Sequence, residues 1–210
     1  MSKTFFSIDQ IVETAWIKFT EKPFFWICIT LLSSLAGSFN PISIDPENFN
    51  FDWNAVGILA IIISSYLSAS ILLMYIKFSR GESVTVDDLL SINLTTFIQY
   101  FLVTIASGIL MFIGFIFLIA PGIYIMARLM FAQYLVVDRN VTFDQAIKMS
   151  WEISDGHVFS LVGFLAVMGF LLLVGFFSLI VGLLVAVPII MLSSASLYLF
   201  FFQNDTHSIE

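Results

Sequence analysis

The sequence predicts an all-α integral membrane protein with six transmembrane helices, built as three repeats of an amphipathic interfacial helix followed by a transmembrane hairpin. Three observations lead to that expectation. Of 210 residues, 60% are hydrophobic, 11% are charged, and mean hydropathy is +1.02, whereas soluble domains carry about 25% charged residues. Apolar runs that approach or exceed the roughly 17 to 25 residues of a span occur at Phe24 to Phe39, Ala55 to Phe78, Leu94 to Ala120, Gly122 to Val137, Val158 to Phe177 and Leu183 to Phe202. A short motif recurs ahead of pairs of these runs. The whole chain, 1–210, reads as a single membrane domain.

From the N-terminus, Ser7 to Lys22 places Ile8, Ile11, Val12, Ala15, Trp16 and Phe19 on one helical face and Asp9, Gln10, Glu13, Thr14 and Lys18 on the other. Such a helix is expected to lie in the membrane interface with its apolar side in the acyl boundary. Trp16 suits that depth, because its ring is apolar and its N–H polar. Pro23 ends the helix and the first span begins. Ser34-Leu35-Ala36 after an apolar run resembles a signal-peptidase site, but the preceding charged region is long and itself helical, so the first span is expected to be retained.

Ser7-Ile8-Asp9-Gln10-Ile11-Val12 has a counterpart in Thr142-Phe143-Asp144-Gln145-Ala146-Ile147, and Ala15-Trp16 matches Ser150-Trp151 at the same offset. A weaker copy starts at Thr85-Val86-Asp87-Asp88-Leu89-Leu90. The expected repeat units are therefore 7–80, 85–139 and 142–203. Ser7, Thr85 and Thr142 are placed as N-caps, with Gln10, Asp88 and Gln145 where a capping box wants an acceptor. Asp9, Asp87 and Asp144 favour the positive end of a helix dipole. Phe6, Val84 and Val141 precede the caps, with Ile11, Leu89 and Ala146 as hydrophobic-staple partners. These carboxylates need no catalytic role.

Small residues recur within the runs, among them Ser33, Ser68, Gly108, Gly114, Gly163, Gly169 and Ser194, and are expected on close-packed helix faces. Pro121-Gly122 is expected to form the turn between the third and fourth spans, and Ser178 to Gly182 to separate the last two. Pro188 should kink the sixth span or mark its start.

Of the eight Lys and Arg, Lys3, Lys18 and Lys22 precede the first span, Lys77 and Arg80 follow the second, and Arg139 and Lys148 follow the fourth. The segment from Asn40 to Trp53 has none and carries Asp45, Glu47 and Asp52. The positive-inside rule therefore places both termini in the cytoplasm. With a net charge of −7, the chain is not expected to bind nucleic acid. Cys28 is the only cysteine and lies in an apolar run, which excludes a disulfide framework and a thiolate metal site.

Arg128 is the one charge inside an expected span, about 9 Å from Pro121 by helical rise. No Asp or Glu shares that depth, so its expected partners are neutral acceptors such as Gln99, Gln133 and Tyr100, or an anion that the chain does not encode. Two readings stand. The guanidinium either snorkels or clamps helix ends, or it binds a lipid phosphate or other anion. Arg128, Gln99 and Gln133 are the lipid- or anion-binding candidates, and Trp16 and Trp151 the interfacial anchors. His157 and His207 have no companion ligands at metal spacing. No nucleophile elbow, phosphate-cradling loop or intramembrane acid pair is present, and neither a metal nor a cofactor is expected.

Pro121-Gly122-Ile123-Tyr124, Arg128, Val136-Val137-Asp138, Ala146, Ser150-Trp151 and Gly156 resemble the pattern of the YciC-like bacterial membrane family, related to the membrane domain fused to some glycerophosphodiester phosphodiesterases. The resemblance implies a bacterial or archaeal cytoplasmic-membrane protein with a link to phospholipid metabolism or envelope homeostasis. It does not imply phosphodiesterase activity, because the catalytic barrel of those enzymes, some 250 residues, has no counterpart in this chain. The leading expectation is a non-enzymatic protein that binds or organises membrane phospholipid, alone, as a homo-oligomer or for a membrane-protein partner. The alternatives are a transporter or channel for a small anion or apolar solute with Arg128 on its path, and a structural or assembly subunit.

Overall fold

A computed structural model describes residues 7–36, 42–44, 51–53 and 55–205. Lys3, Phe6, Asp45, Glu47, His207 and both chain ends lie outside the described residues. The described chain is helical apart from a short antiparallel ribbon, β1 (Ile42–Ile44) and β2 (Phe51–Trp53). The helices are α1 (Ile8–Glu21), α2 (Pro23–Ala36), α3 (Ala55–Ser79), α4 (Leu94–Phe117), α5 (Ile119–Leu129), α6 (Ala132–Arg139), α7 (Phe143–Ile153), α8 (Val158–Phe177) and α9 (Leu179–Asp205). Five helical stretches are long and apolar enough to cross a membrane: Gly57–Ser79, Leu94–Phe117, Ile119–Arg139, Val158–Phe177 and Val181–Phe202. The chain is thus a multi-pass membrane protein. α2 has 14 residues, about 21 Å of helix against a hydrocarbon core of about 30 Å.

The centre of the bundle is α9, which packs on α1, α2, α3 and α8 and buries Leu192, Ala195, Leu197 and Tyr198 completely. α6 is buried as thoroughly, among α3, α4 and α7. α2 is pinned to α3 by Trp26, fully buried with its ring stacked on Tyr75 at 4.4 Å and edge-on to Phe78 at 5.2 Å.

Several expectations are corrected. Pro121-Gly122 is not the turn between the third and fourth spans. The pivot is Leu118, whose extended backbone ends α4 and starts α5. Pro121 sits in the first turn of α5, where a missing N–H leaves no helical acceptor unserved. Gly122 instead lets the hairpin close: a Cβ there would fall 2.5 Å from the Phe115 ring. Gly175 and Gly182 serve the α8–α9 hairpin in the same way, a Cβ on Gly182 falling 2.4 Å from the Gly175 carbonyl. Ser178 alone separates those helices, the segment from Leu179 to Gly182 being helical, and Pro188 lies inside α9. Gly108 and Gly169, expected on packed faces, would meet nothing within 4 Å.

The expected fourth span is broken. α5 stops at Leu129 and α6 begins at Ala132, because the Ser150 hydroxyl donates to the Arg128 carbonyl at 2.7 Å, with the Ser154 hydroxyl, which donates to the Ser150 carbonyl at 2.6 Å, also 3.2 Å from it. The Arg128 carbonyl would otherwise accept the next intrahelical bond, and an inserted side chain of this kind breaks the ladder.

The three copies of the repeated motif also diverge. Thr142 and Gln145 form the expected capping box on α7, and Thr85 and Asp88 form one as well, the Thr85 N–H donating to Asp88 at 2.8 Å. That second copy makes only a five-residue 3₁₀ helix, Val86–Leu90, rather than an interfacial helix. The Ser91 hydroxyl donates to the Asp88 carbonyl and Asn93 caps α4, which leaves no room for a longer one. Ser7 has the extended backbone of an N-cap, but its hydroxyl donates to Asp9 and does not cap. Nor does α1 present its whole apolar face outward. Ile11, Ala15 and Phe19 are buried in the protein core, α1 lies along α9, and only Trp16 and Ile17 remain exposed.

Candidate functional site

Arg128 occupies the last turn of α5 and is 8% exposed. Its Nε and one terminal nitrogen donate to the Tyr124 hydroxyl at 3.0 and 2.8 Å, and the other terminal nitrogen donates to the Trp151 carbonyl at 3.0 Å. The first terminal nitrogen also pairs with Asp155 at 2.9 Å. The guanidinium lies over the rings of Tyr124 and Trp151, 5.2 and 5.1 Å from their centroids. The partner set therefore includes a carboxylate, contrary to the neutral set expected. Asp155 comes from the turn after α7, outside any span, and its side chain is 77% exposed, so one end of the pair stays hydrated. With the two serine hydroxyls on its own carbonyl, Arg128 bolts α5 to α7 from both sides. Trp151 is part of this bolt.

Neither glutamine joins it. Gln99 accepts from the Phe143 N–H at 2.9 Å, which holds the start of α7 to α4, and Gln133 donates to Thr104 at 3.2 Å. Trp16 is 51% exposed and touches Phe19 at a ring distance of 6.1 Å. His157 stands at the N-cap position of α8, its ring 3.1 Å from the Asp155 carbonyl and edge-on to Phe201, and makes no capping bond. Among the described residues no group of three or more His, Cys, Asp or Glu could hold a metal ion.

A different pair of cations stands at a cavity. Between α1 and the ends of α3 and α9 lies a pocket of about 440 Å³, lined by Gln10, Thr14 and Lys18 of α1, Ser79 and Arg80, and Ser196 of α9. Lys18 projects from the polar face of α1 because Ile11, Ala15 and Phe19 turn the other face onto the bundle. Its ammonium donates to the Ser79 carbonyl at 2.7 Å. Burial holds Lys18 below its ordinary pKa, against the opposing charge of Glu21. Arg80 follows the end of α3 and pairs with Asp138 at 2.5 Å, and Asp138 also accepts from Tyr198 at 2.7 Å. The hydroxyl oxygens of Ser79 and Ser196 are buried and have no hydrogen-bond partner. Such groups cost about 1 to 3 kcal/mol each when left unmade.

The pocket thus combines Lys18, an Arg80 guanidinium paired with Asp138, two buried hydroxyls without partners and a wet rim from Gln10 and Thr14. With Lys18 as the cation that no carboxylate among the described residues neutralises, its chemistry suits a small oxyanion. From the sequence, Lys18 and Arg80 serve as markers of orientation, Lys18 also as part of the polar face of α1, and Ser196 as one of the small residues on packing faces, while Ser79 carries no expectation. No local signal marks the four, since they meet only after α1 docks on α9. No protein-family model, curated protein or solved structure matches this chain.

Proposed function

We propose that this chain is a non-enzymatic protein of a bacterial or archaeal cytoplasmic membrane that binds phospholipid, holding the head-group phosphate in the pocket between Lys18 and Arg80. The observation that carries the reading is that pocket. Its cations and unpartnered hydroxyls lie where α1 meets the end of α3 and the C-terminal part of α9, which suits a head group at the edge of the apolar bundle. Lipid tails would run down the exposed apolar sides of the bundle, and Trp16 on the outer face of α1 would share the interface with them. The YciC-like resemblance agrees with a phospholipid role.

Both termini are placed in the cytoplasm by the distribution of Lys and Arg. The apolar run from Phe24 to Phe39 supports a sixth span, and the capping boxes at Thr85 and Thr142, with the matching motif at the start of α1, support a chain of repeated units at 7–80, 85–139 and 142–203. Arg128 enters this reading as the clamp that holds α7, its guanidinium making four hydrogen bonds within the chain. Neither Arg128 nor any other charged residue lines the cavity inside the bundle, so a conduction path through Arg128 finds no support there.

The test is native mass spectrometry of the protein purified in mixed anionic and zwitterionic phospholipid. The wild type should retain anionic lipid, and Lys18→Gln should lose it with thermal stability unchanged. Equal retention by Lys18→Gln and by Arg80→Gln, both folded, would end the proposal. Inorganic phosphate separates head group from lipid: protection by phosphate alone at the affinity of the lipid would assign the pocket to a free anion.

A further inference from the structure

A second cavity, of about 420 Å³, lies inside the bundle between α2, α3, α4, α6 and α9. Its position is set by Thr30 in α2, Tyr75 in α3, Tyr100 in α4, Gln133 and Tyr134 in α6, and Ser194 in α9, all within apolar stretches. The volume falls in the range of small-molecule sites, about 300 to 1,000 Å³. The lining residues include serines, a threonine, tyrosines and one amide, with aliphatic side chains and methionines between them, and no Asp, Glu, Lys, Arg or His.

That composition selects a ligand. A phosphate or carboxylate would lose its hydration with no counter-charge to replace it, a cost that excludes it from such a site. The donors of Thr30, Ser68 and Gln133 are spent inside the bundle, on the Trp26 carbonyl, the Ser64 carbonyl and Thr104, so the lining offers mainly acceptor oxygens, to which a bare hydrocarbon brings no donor. A neutral group that brings its own hydroxyl donor satisfies both conditions.

The route of entry narrows the choice further. Among the lining residues, Ser34 of α2 and Met191 of α9 are exposed on the outside of the bundle, so the mouth lies between α2 and α9 and opens sideways, toward lipid. Pro188 stands beside the wall residues Val187 and Ile190 and removes the intrahelical donor to the Leu184 carbonyl, which weakens α9 at the level of the mouth.

We infer that this cavity binds the head of a neutral, hydroxyl-bearing glycerolipid of the diacylglycerol type, admitted from the membrane between α2 and α9. The site is separate from the Lys18 and Arg80 pocket and does not depend on it. One chain therefore offers a charged site for a phosphorylated lipid head and an uncharged site for the same head without phosphate.

The test is photolabelling of the full chain in nanodiscs with a diazirine diacylglycerol, followed by peptide mapping. Saturable labelling is expected within 29–34, 68–75 or 187–194, displaced by unlabelled diacylglycerol and at least about tenfold more weakly by phosphatidate. Ser194→Leu, which fills the cavity, should reduce labelling about tenfold. Tyr100→Phe, which removes one hydroxyl and leaves the shape intact, is the milder variant should Ser194→Leu fail to fold, and should reduce labelling several-fold. Lys18→Gln should label as the wild type does, which keeps this result distinct from failure of the head-group site. Labelling elsewhere, equal displacement by phosphatidate, a cavity that holds only water and gives no saturable labelling, or undiminished labelling of a folded Ser194→Leu or Tyr100→Phe protein would overturn the inference.

Discussion

α1 and α7 begin alike and end in opposite circumstances. Both follow a Ser or Thr with Asp in the first turn, and each Asp carboxyl is held below the usual carboxylate range by the hydroxyl ahead of it, Ser7 for Asp9 and Thr142 for Asp144. Both carry a small residue followed by Trp two turns later. Yet α7 is bolted at its far end by Arg128 and roofed by serine bonds to the Arg128 carbonyl, whereas α1 rests on α9 by apolar contact and leaves polar donors unused beneath it. The difference lies in the neighbours. α7 packs against α4, α5 and α6, and α1 mainly against α9. Local caps determine that a helix forms, and the elements it meets determine whether it closes a joint or frames a site.

The largest effect should come from breaking the α7 joint. Arg128→Leu leaves the Trp151 carbonyl without its donor and removes the ion pair to Asp155, for an expected loss of about 3 kcal/mol. Thermal unfolding in detergent measures it, and cleavage near Gly156 in limited proteolysis should rise with it. An unchanged melting temperature would remove the contrast between the two helices.

Ala15→Leu attacks the α1 joint. Ala15 is fully buried, and overpacking costs about 2 kcal/mol. The expected outcome is release of α1 from α9 and loss of bound anionic lipid together, seen as faster hydrogen exchange over 8–21. Retained lipid with α1 released would place the lipid elsewhere.

Ser150→Ala removes the nearer donor to the Arg128 carbonyl, with an expected cost of about 1 kcal/mol because the Ser154 hydroxyl, 3.2 Å away, turns from the Ser150 carbonyl to serve it. The doubly substituted chain should lose more than twice as much, since the carbonyl is then left buried and unpaired. Additive losses would show that the break between α5 and α6 has another cause.

The smallest effect belongs to the third copy. Asp88 is held below its ordinary 3.8, first by the Lys77 hydrogen bond and then by the Thr85 N–H. A carboxyl depressed on folding stabilises the protein above its unfolded pKa and loses that contribution as pH falls through the folded value. Wild type should therefore exceed Asp88→Asn by up to about 1 kcal/mol at pH 7, and the two melting curves should converge below pH 3.8. A constant gap would mean that the 3₁₀ helix is held by packing of Leu89 alone.

How far the sequence could be read follows from which interactions are local. The run from Val158 to Phe177 coincides with α8, and Ala55 to Phe78 with α3 to within one residue, because span length and hydropathy sum over neighbours in the chain. The capping boxes of Thr142 and Thr85 were legible for the same reason. The break at Met130 was not, since it depends on hydroxyls more than 20 residues away at Ser150 and Ser154. Nor was the Leu118 pivot, because the tightness of that hairpin depends on Gly122 passing against Phe115.

By itself, the sequence determined that this is a multi-pass helical membrane protein, where its main helices run, and that its first-turn acids serve helix ends. Those properties depend on the apolar free energy of each window and on bonds across three or four residues. Only the tertiary structure decided that Arg128 has a carboxylate partner, that α1 buries Ile11, Ala15 and Phe19 while Trp16 stays exposed, and that Lys18 and Arg80 share a pocket with Ser196. Positions 18, 80 and 196 come together only through the packing of α1 on α9, and the chemistry of that pocket arises from their juxtaposition.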